Sequence, residues 1–187
     1  IADLRWLRQC GLEAAIHKAA DAGTLVFGVC GGYQMLGRTV SDPEQVEAAG
    51  TTEILGMGLL EMDTIFLGEK VQAQTTGVFA GISGVLSDLN GMSYSGYEIH
   101  MGRSEEEMPA LAGTGNVYGS YVHGVFDASG ISDTILKALC VRKGIDFDAL
   151  ETFDVEAYKE RQYDLLADAV RSGLDMEFIY RALNREL

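Results

Sequence analysis

The 187-residue chain carries 14 basic and 28 acidic residues, a net charge of −14, and is 47% hydrophobic. That size and apolar content suffice for one sizeable core and predict a single domain over 1–187, while the acidity argues against nucleic acid or an anionic membrane as a partner. No apolar run approaches the ~20 residues of a bilayer span, the start IADLRWLRQC is charged where a signal peptide is apolar, and Cys10, Cys30 and Cys140 are too far apart for a disulfide framework, so a reducing cytoplasm is expected.

In chain order, Leu4, Leu7, Leu12 and Ile16 recur at helical spacing, with Gly11 ending a first short helix. GTLVFGVC (23–30) is a short apolar, β-rich run after a glycine and predicts a buried strand. GYQMLGRTV predicts a short helix closed near Gly37, and Asp42-Pro43 has the form of an N-cap and a first-turn proline. The stretch KVQAQTTGVF alternates polar and apolar. So does YEIHM, with Tyr97, Ile99 and Met101 on one face and Glu98 and His100 on the other. NVYGSYVH predicts a strand entered from the turn GTGN. SDTILKALCVRKG predicts a helix capped by Ser132 and stopped by Gly144. Residues 154–183 predict one or two amphipathic helices. This order of elements points to an α/β fold.

Gly28-Val29-Cys30-Gly31-Gly32 has the form small-x-nucleophile-x-small, the cysteine version of a nucleophile elbow. Such a turn lifts the side chain out at the carboxyl end of a strand, where open α/β sheets bind ligands. A helix start beneath the sulfur favours the thiolate and offers N–H groups to an oxyanion. Cys10 and Cys140 lie on helix-like segments and are expected to be structural.

A cysteine nucleophile needs a base. His17 sits beside Lys18 in the N-terminal helix and is expected at the surface. His100 and His123 both end or interrupt strands. His123, in GSYVHGVFD, stands where it can face Cys30. A third group to orient it is sought in Asp127 or Glu98, between which the sequence does not choose. A metal site built from Cys30, Glu98, His100 and His123 lacks any C-x-x-C or H-x-x-x-H pair, so no metal is expected. No dinucleotide fingerprint or ATP phosphate loop is present in the sequence.

Together, GVCGGYQMLG, GYEIHMGRS and GSYVHGVFD resemble the glutamine amidotransferase domains of the cobyric acid synthase family. ADLRWLRQCGL, GMGLL with DTIF, and KERQYDLLADAVRSGLDM extend the resemblance over nearly the whole chain. It implies a flavodoxin-like class I amidotransferase fold, a mostly parallel sheet with helices on both faces, whose N-terminal strands are missing. Cys30 would attack the glutamine side-chain amide, with His123 as acid and base. Gly31 would supply an oxyanion N–H, Gly32 and Tyr33 would shape the pocket, and Gln34 would position the substrate. Ser120 and Tyr121 would contact its amino-acid end. Glu98 and His100 belong to the signature, either as a structural pair or in catalysis. His123-Gly124-Val125 stands where related enzymes carry His-Pro-Glu, so the third triad member stays open.

The resemblance further implies an ATP- and Mg²⁺-dependent synthetase domain as partner and a corrinoid, adenosylcobyrinic acid a,c-diamide, as acceptor, with no cofactor in this chain itself. The alternatives are the amidotransferase domain of a cobyrinic acid a,c-diamide synthase or related synthetase, a non-catalytic docking module on the same fold, or a cysteine hydrolase of another amide.

Overall fold

A computed structural model describes the whole chain except residues 51, 105–108, 129, 151–154 and 186–187. The chain groups into two compact units, Ile1–Ala149 and Leu150–Leu187, where the sequence predicts one domain.

The first unit opens with helices α1 (Ala2–Gln9) and α2 (Leu12–Asp21), broken at Gly11 as expected; its φ of 79° suits glycine. Strand β1 (Val26–Val29) leads through Cys30 into the short helix α3 (Gly31–Leu36). Strands β2 (Thr39–Ser41), β3 (Glu53–Leu55), β4 (Asp63–Val78) and β5 (Ser93–Ser104) follow. Then come β6 (Ala112–Thr114), β7 (Val117–Ser120) and helix α4 (Ile131–Lys143).

Two sheets result. The first has the order β1-β7-β6, with β1 and β7 parallel and β6 antiparallel to β7. The second has the order β3-β2-β4-β5 and is antiparallel except for the β2–β4 pair. The parallel pair matters most here: Val29 lies opposite Ser120, so the carboxyl ends of β1 and β7 finish side by side.

All four positions of β7 are buried, as a strand covered on both faces must be. Its side chains divide by alternation. Tyr118 and then Val122 enter a core with Phe79, Leu86, Ile131 and Ile135 from the α4 side. Val117 and Tyr121 enter another with Leu4, Ala20, Tyr33 and Leu36 from α1, α2 and α3. Helices thus cover both faces of this sheet, and the fold is α/β.

Two predicted caps take other forms. Asp42 starts no helix, because Gln45 turns to φ 54° and breaks the helical path. Instead the buried carboxylate gathers a loop, accepting N–H bonds from Val46, Glu47 and Ala48 at 2.9–3.0 Å. Helix α4 starts after Gly130 with no side-chain cap, and the Ser132 hydroxyl donates to the Phe126 carbonyl at 2.7 Å. Gly144 does close α4, at φ 66°.

Burial pushes the Asp42 carboxyl up, but the three N–H donors together outweigh it and hold the group below 3.8. A depressed carboxylate adds stability above its unfolded pKa and loses it as pH falls through the folded value. Asp42→Asn is therefore expected to lower the urea midpoint at neutral pH, since one amide oxygen cannot serve three donors. It should also flatten the acid side of the stability profile, below pH 3.8. Urea titrations of both proteins from neutral pH down into that range check this.

In the second unit, α5 (Val155–Gly173) and α6 (Met176–Leu183) are two helices rather than one. The break comes at Asp175, whose carboxylate caps α6 by accepting the Phe178 N–H at 2.9 Å.

Candidate active site

Cys30 sits between β1 and α3 at φ 51°, ψ −110°, a backbone conformation that a non-glycine residue adopts only under constraint. Such a turn needs room beneath it. A Cβ on Gly28 would come within 2.7 Å of the Gly32 carbonyl and the Tyr33 nitrogen, all backbone. Gly28 therefore lets α3 pass directly under the strand, while added methyls at Gly31 and Gly32 would meet nothing within 4 Å. The Cys30 N–H donates to the Ser120 carbonyl at 2.8 Å, which pins the turn to the end of β7. The predicted elbow is the observed one.

The sulfur lies 3.7 Å from the Ile99 carbonyl of β5. Burial pushes the thiol above its ordinary value, and the hydrogen bond from the Gly31 N–H opposes that without cancelling it. The expectation of a favoured thiolate is corrected accordingly: half-burial outweighs the helix start, so Cys30 rests as a thiol and needs a base.

His123 follows β7 by three residues, at the same end of the sheet as the elbow. Its backbone pairs with Tyr97 of β5, N–H to carbonyl in both directions at 2.8 and 3.1 Å. Its ring stacks on the Tyr97 ring, with centroids 5.0 Å apart and planes within 7°. The Nε2 atom is buried with no hydrogen-bond partner.

His100 differs on this point. Its Nδ1 meets the Gly102 carbonyl at 2.7 Å and its Nε2 meets the Glu98 carboxylate at 3.3 Å. Its ring stacks on Tyr121 with centroids 4.0 Å apart. Both nitrogens are committed, so of the two strand histidines only His123 has a ring nitrogen left to move a proton. Glu98 is placed beside His100. Asp127 ends a one-turn 3₁₀ helix, Val125–Asp127, entered through Gly124 after His123.

The residues expected around the substrate separate by burial. Tyr33 is fully buried in the α3-side core, edge-on to Tyr121, with its hydroxyl unpartnered and pushed well above its ordinary pKa by burial and by Tyr121. That is a packing residue, not a pocket wall. Ser120 is also fully buried. Its hydroxyl donates to the Ala110 carbonyl at 2.5 Å and accepts the Val122 N–H at 3.0 Å, so its proton is committed and its side chain is out of reach of a ligand. The expectation of substrate contact by Ser120 is corrected: it ties the end of β7 to the loop before β6. Gln34 and Tyr121 form a chain, Gln34 Nε2 to Tyr121 hydroxyl at 3.5 Å and on to Ser104 at 3.2 Å. Gln34 also lines a small cavity with Gly31, Ile1, Asp3 and Glu47, beside the start of α3.

Tyr97 and Ile99 lie within the GYEIHMGRS motif, which gives them no role at the site. Their placement on one face of YEIHM was legible, but the elements that reach that face are not adjacent in sequence. Among the described residues, no cluster of three or more His, Cys, Asp or Glu is arranged to hold a metal. Nor is any described helix long and apolar enough to cross a membrane.

Cys30 thus stands on a strand-to-helix elbow of an α/β domain, with His123 three residues past the end of the neighbouring parallel strand. The profile of the CobB/CobQ-like glutamine amidotransferase domain matches residues 1–131, and the chain belongs to this family. The cobyric acid synthase of Lachnoclostridium phytofermentans is 47% identical, over 98% of this chain and 40% of its own length. That of Ruminiclostridium cellulolyticum is 44% identical, over 97% of this chain and 38% of its own. The chain thus spans about two-fifths of the length of these relatives. A solved glutamine amidotransferase is similar at 17% identity and a TM-score of 0.45, covering 76% of this chain and 73% of that one.

Proposed function

We propose that this domain hydrolyses glutamine through a Cys30 thioester and passes the ammonia to an ATP-dependent synthetase domain that amidates carboxylates of a corrinoid. The observation that carries the first half is the placement of a constrained Cys30, and of His123 with its buried Nε2 unpartnered, just past the carboxyl ends of adjacent parallel strands. His123 takes the thiol proton as the sulfur attacks the side-chain amide carbon of glutamine. The same proton goes to the departing nitrogen, ammonia leaves, and a glutamyl thioester remains. His123 then takes a proton from water, whose oxygen attacks the thioester. Glutamate departs and the thiol recovers its proton. Backbone N–H groups at the start of α3, Gly31 first, face the oxyanion. Asp127 and Glu98 both remain candidates for the group that orients His123; Glu98 also meets His100.

The second half is supported by the relatives' names and their greater length. In this reading the acceptor is adenosylcobyrinic acid a,c-diamide, and ATP and Mg²⁺ are used on the synthetase domain in the cytoplasm. Among the described residues β1 stands at the edge of its sheet beside an apolar groove lined by Leu7, Ile16, Phe27, Met35 and Met57, a surface that suits docking of the synthetase domain. The test is donor dependence in the full-length protein. Corrinoid amidation should run on glutamine or on ammonium salts, and Cys30→Ala should remove only the first. Loss of both with Cys30→Ala in a folded protein would contradict the reading.

A further inference from the structure

We propose that Tyr97 is the residue that sets the His123 ring for proton transfer, a positioning role that rests on the glutaminase reading above. Three observations converge on it. The two rings lie face to face, 5.0 Å between centroids and 7° between planes. The two backbones are locked by reciprocal hydrogen bonds at an otherwise isolated bridge, so the rings cannot slide along each other. The residue before Tyr97 is Gly96, where any Cβ would collide with the His123 carbonyl, so β5 is held against this segment as closely as backbones allow.

The same strand touches the other half of the dyad. Ile99, two residues along β5, presents its carbonyl to the Cys30 sulfur. Backbone groups two apart on a strand point to the same edge and lie about 7 Å from each other. One rigid segment, 97–99, therefore fixes the base at one end and the nucleophile at the other. A mispositioning of about 1 Å in such a pair can cost as much as a hundredfold in rate.

The chemistry favours an aromatic at 97. When His123 accepts the thiol proton it becomes a cation, and the face of a phenol ring attracts a cation that lies against it. The His123 Nε2 has no hydrogen-bond partner, so the stack on Tyr97 bears on the ring without competing for the nitrogen that must take the proton. The flat face does the work, so a phenyl ring should serve as well as a phenol. Tyr97 is half exposed, so its replacement removes little core.

The test is steady-state glutamine hydrolysis by the full chain, with kcat and KM resolved, for Tyr97→Leu, Tyr97→Gln and Tyr97→Phe, each checked by thermal melting. The two non-aromatic variants should lose roughly tenfold to a hundredfold in kcat while KM stays within about twofold, and Tyr97→Phe should stay within about twofold in both. Wild-type kcat in a folded Tyr97→Leu or Tyr97→Gln overturns the proposal. So does a Tyr97→Phe that falls as far as they do, or a loss confined to KM. A wild-type chain that hydrolyses no glutamine overturns the glutaminase reading itself, and the wild-type control separates that result from the others.

Discussion

Cys30→Ala is expected to lower glutamine hydrolysis by about 10⁴-fold or more, because removing a covalent nucleophile leaves only substrate binding and the oxyanion donors. The fold should survive. Cys30 is half-buried, its backbone N–H bond to Ser120 does not involve the side chain, and Gly28 still leaves room for α3. One opposing effect is built in: alanine at φ 51° keeps the backbone constraint. The melting temperature should therefore change little, while glutamate release, read by a coupled assay, disappears. The same substitution at Cys10 or Cys140 should leave the rate alone. Cys140 is buried on α4 and Cys10 is exposed at the end of α1, and both are outside the elbow.

Gly119→Ala is expected to be among the most destabilising single substitutions in the chain. Gly119 is the third residue of β7, opposite Gly28 of β1. A Cβ there would collide with the ring of Tyr33, a fully buried residue of the elbow helix. The ring cannot turn away, because Tyr121 lies edge-on against it and the α3-side core closes around it. Overpacking of a closed core costs about 3 kcal/mol, a large share of the stability of a domain this size. The displaced Tyr33 would also shift α3 and with it the nucleophile, so residual activity at low temperature should fall as well. Gly31→Ala is the matched control. Its methyl meets nothing within 4 Å and it sits in a helix, so the change in stability should stay within about 1 kcal/mol. Urea unfolding midpoints of the two variants and the parent protein check both expectations.

The parts of this site that a reader of the sequence can see are those fixed by local backbone demands. Gly28-Val29-Cys30-Gly31-Gly32 after an apolar run allows few structures besides a strand-to-helix elbow, and Gly11 and Gly144 stop helices because they adopt positive φ. His123 is legible as the residue just past a buried strand. What stays hidden depends on faces and partners. Ser120 and Tyr33 are expected at the pocket on the family resemblance. Alternation along β7 and the turn of α3 send them into the core instead. Asp42 has the form of a helix cap, yet its carboxylate finds three loop N–H groups, a competition between local hydrogen bonds that sequence pattern does not rank. Tyr97 lies within the GYEIHMGRS motif, but nothing there ties it to His123, since that contact exists only once β5 meets the segment after β7. The distinction between His100 and His123 is of the same kind. Both end strand-like runs, and only the hydrogen bonds to Gly102 and Glu98 show that His100 is already engaged.

The central claim is an assembled glutamine site with Cys30 as its nucleophile. The most direct measurement is labelling with the glutamine-analogue electrophile 6-diazo-5-oxo-L-norleucine, followed by peptide mass mapping of the three cysteines. An adduct is expected on Cys30 alone, with labelling strongly slowed in His123→Ala and blocked by excess glutamine. Equal labelling of Cys10, Cys30 and Cys140, or an adduct on Cys30 that neither His123→Ala nor glutamine affects, would contradict it.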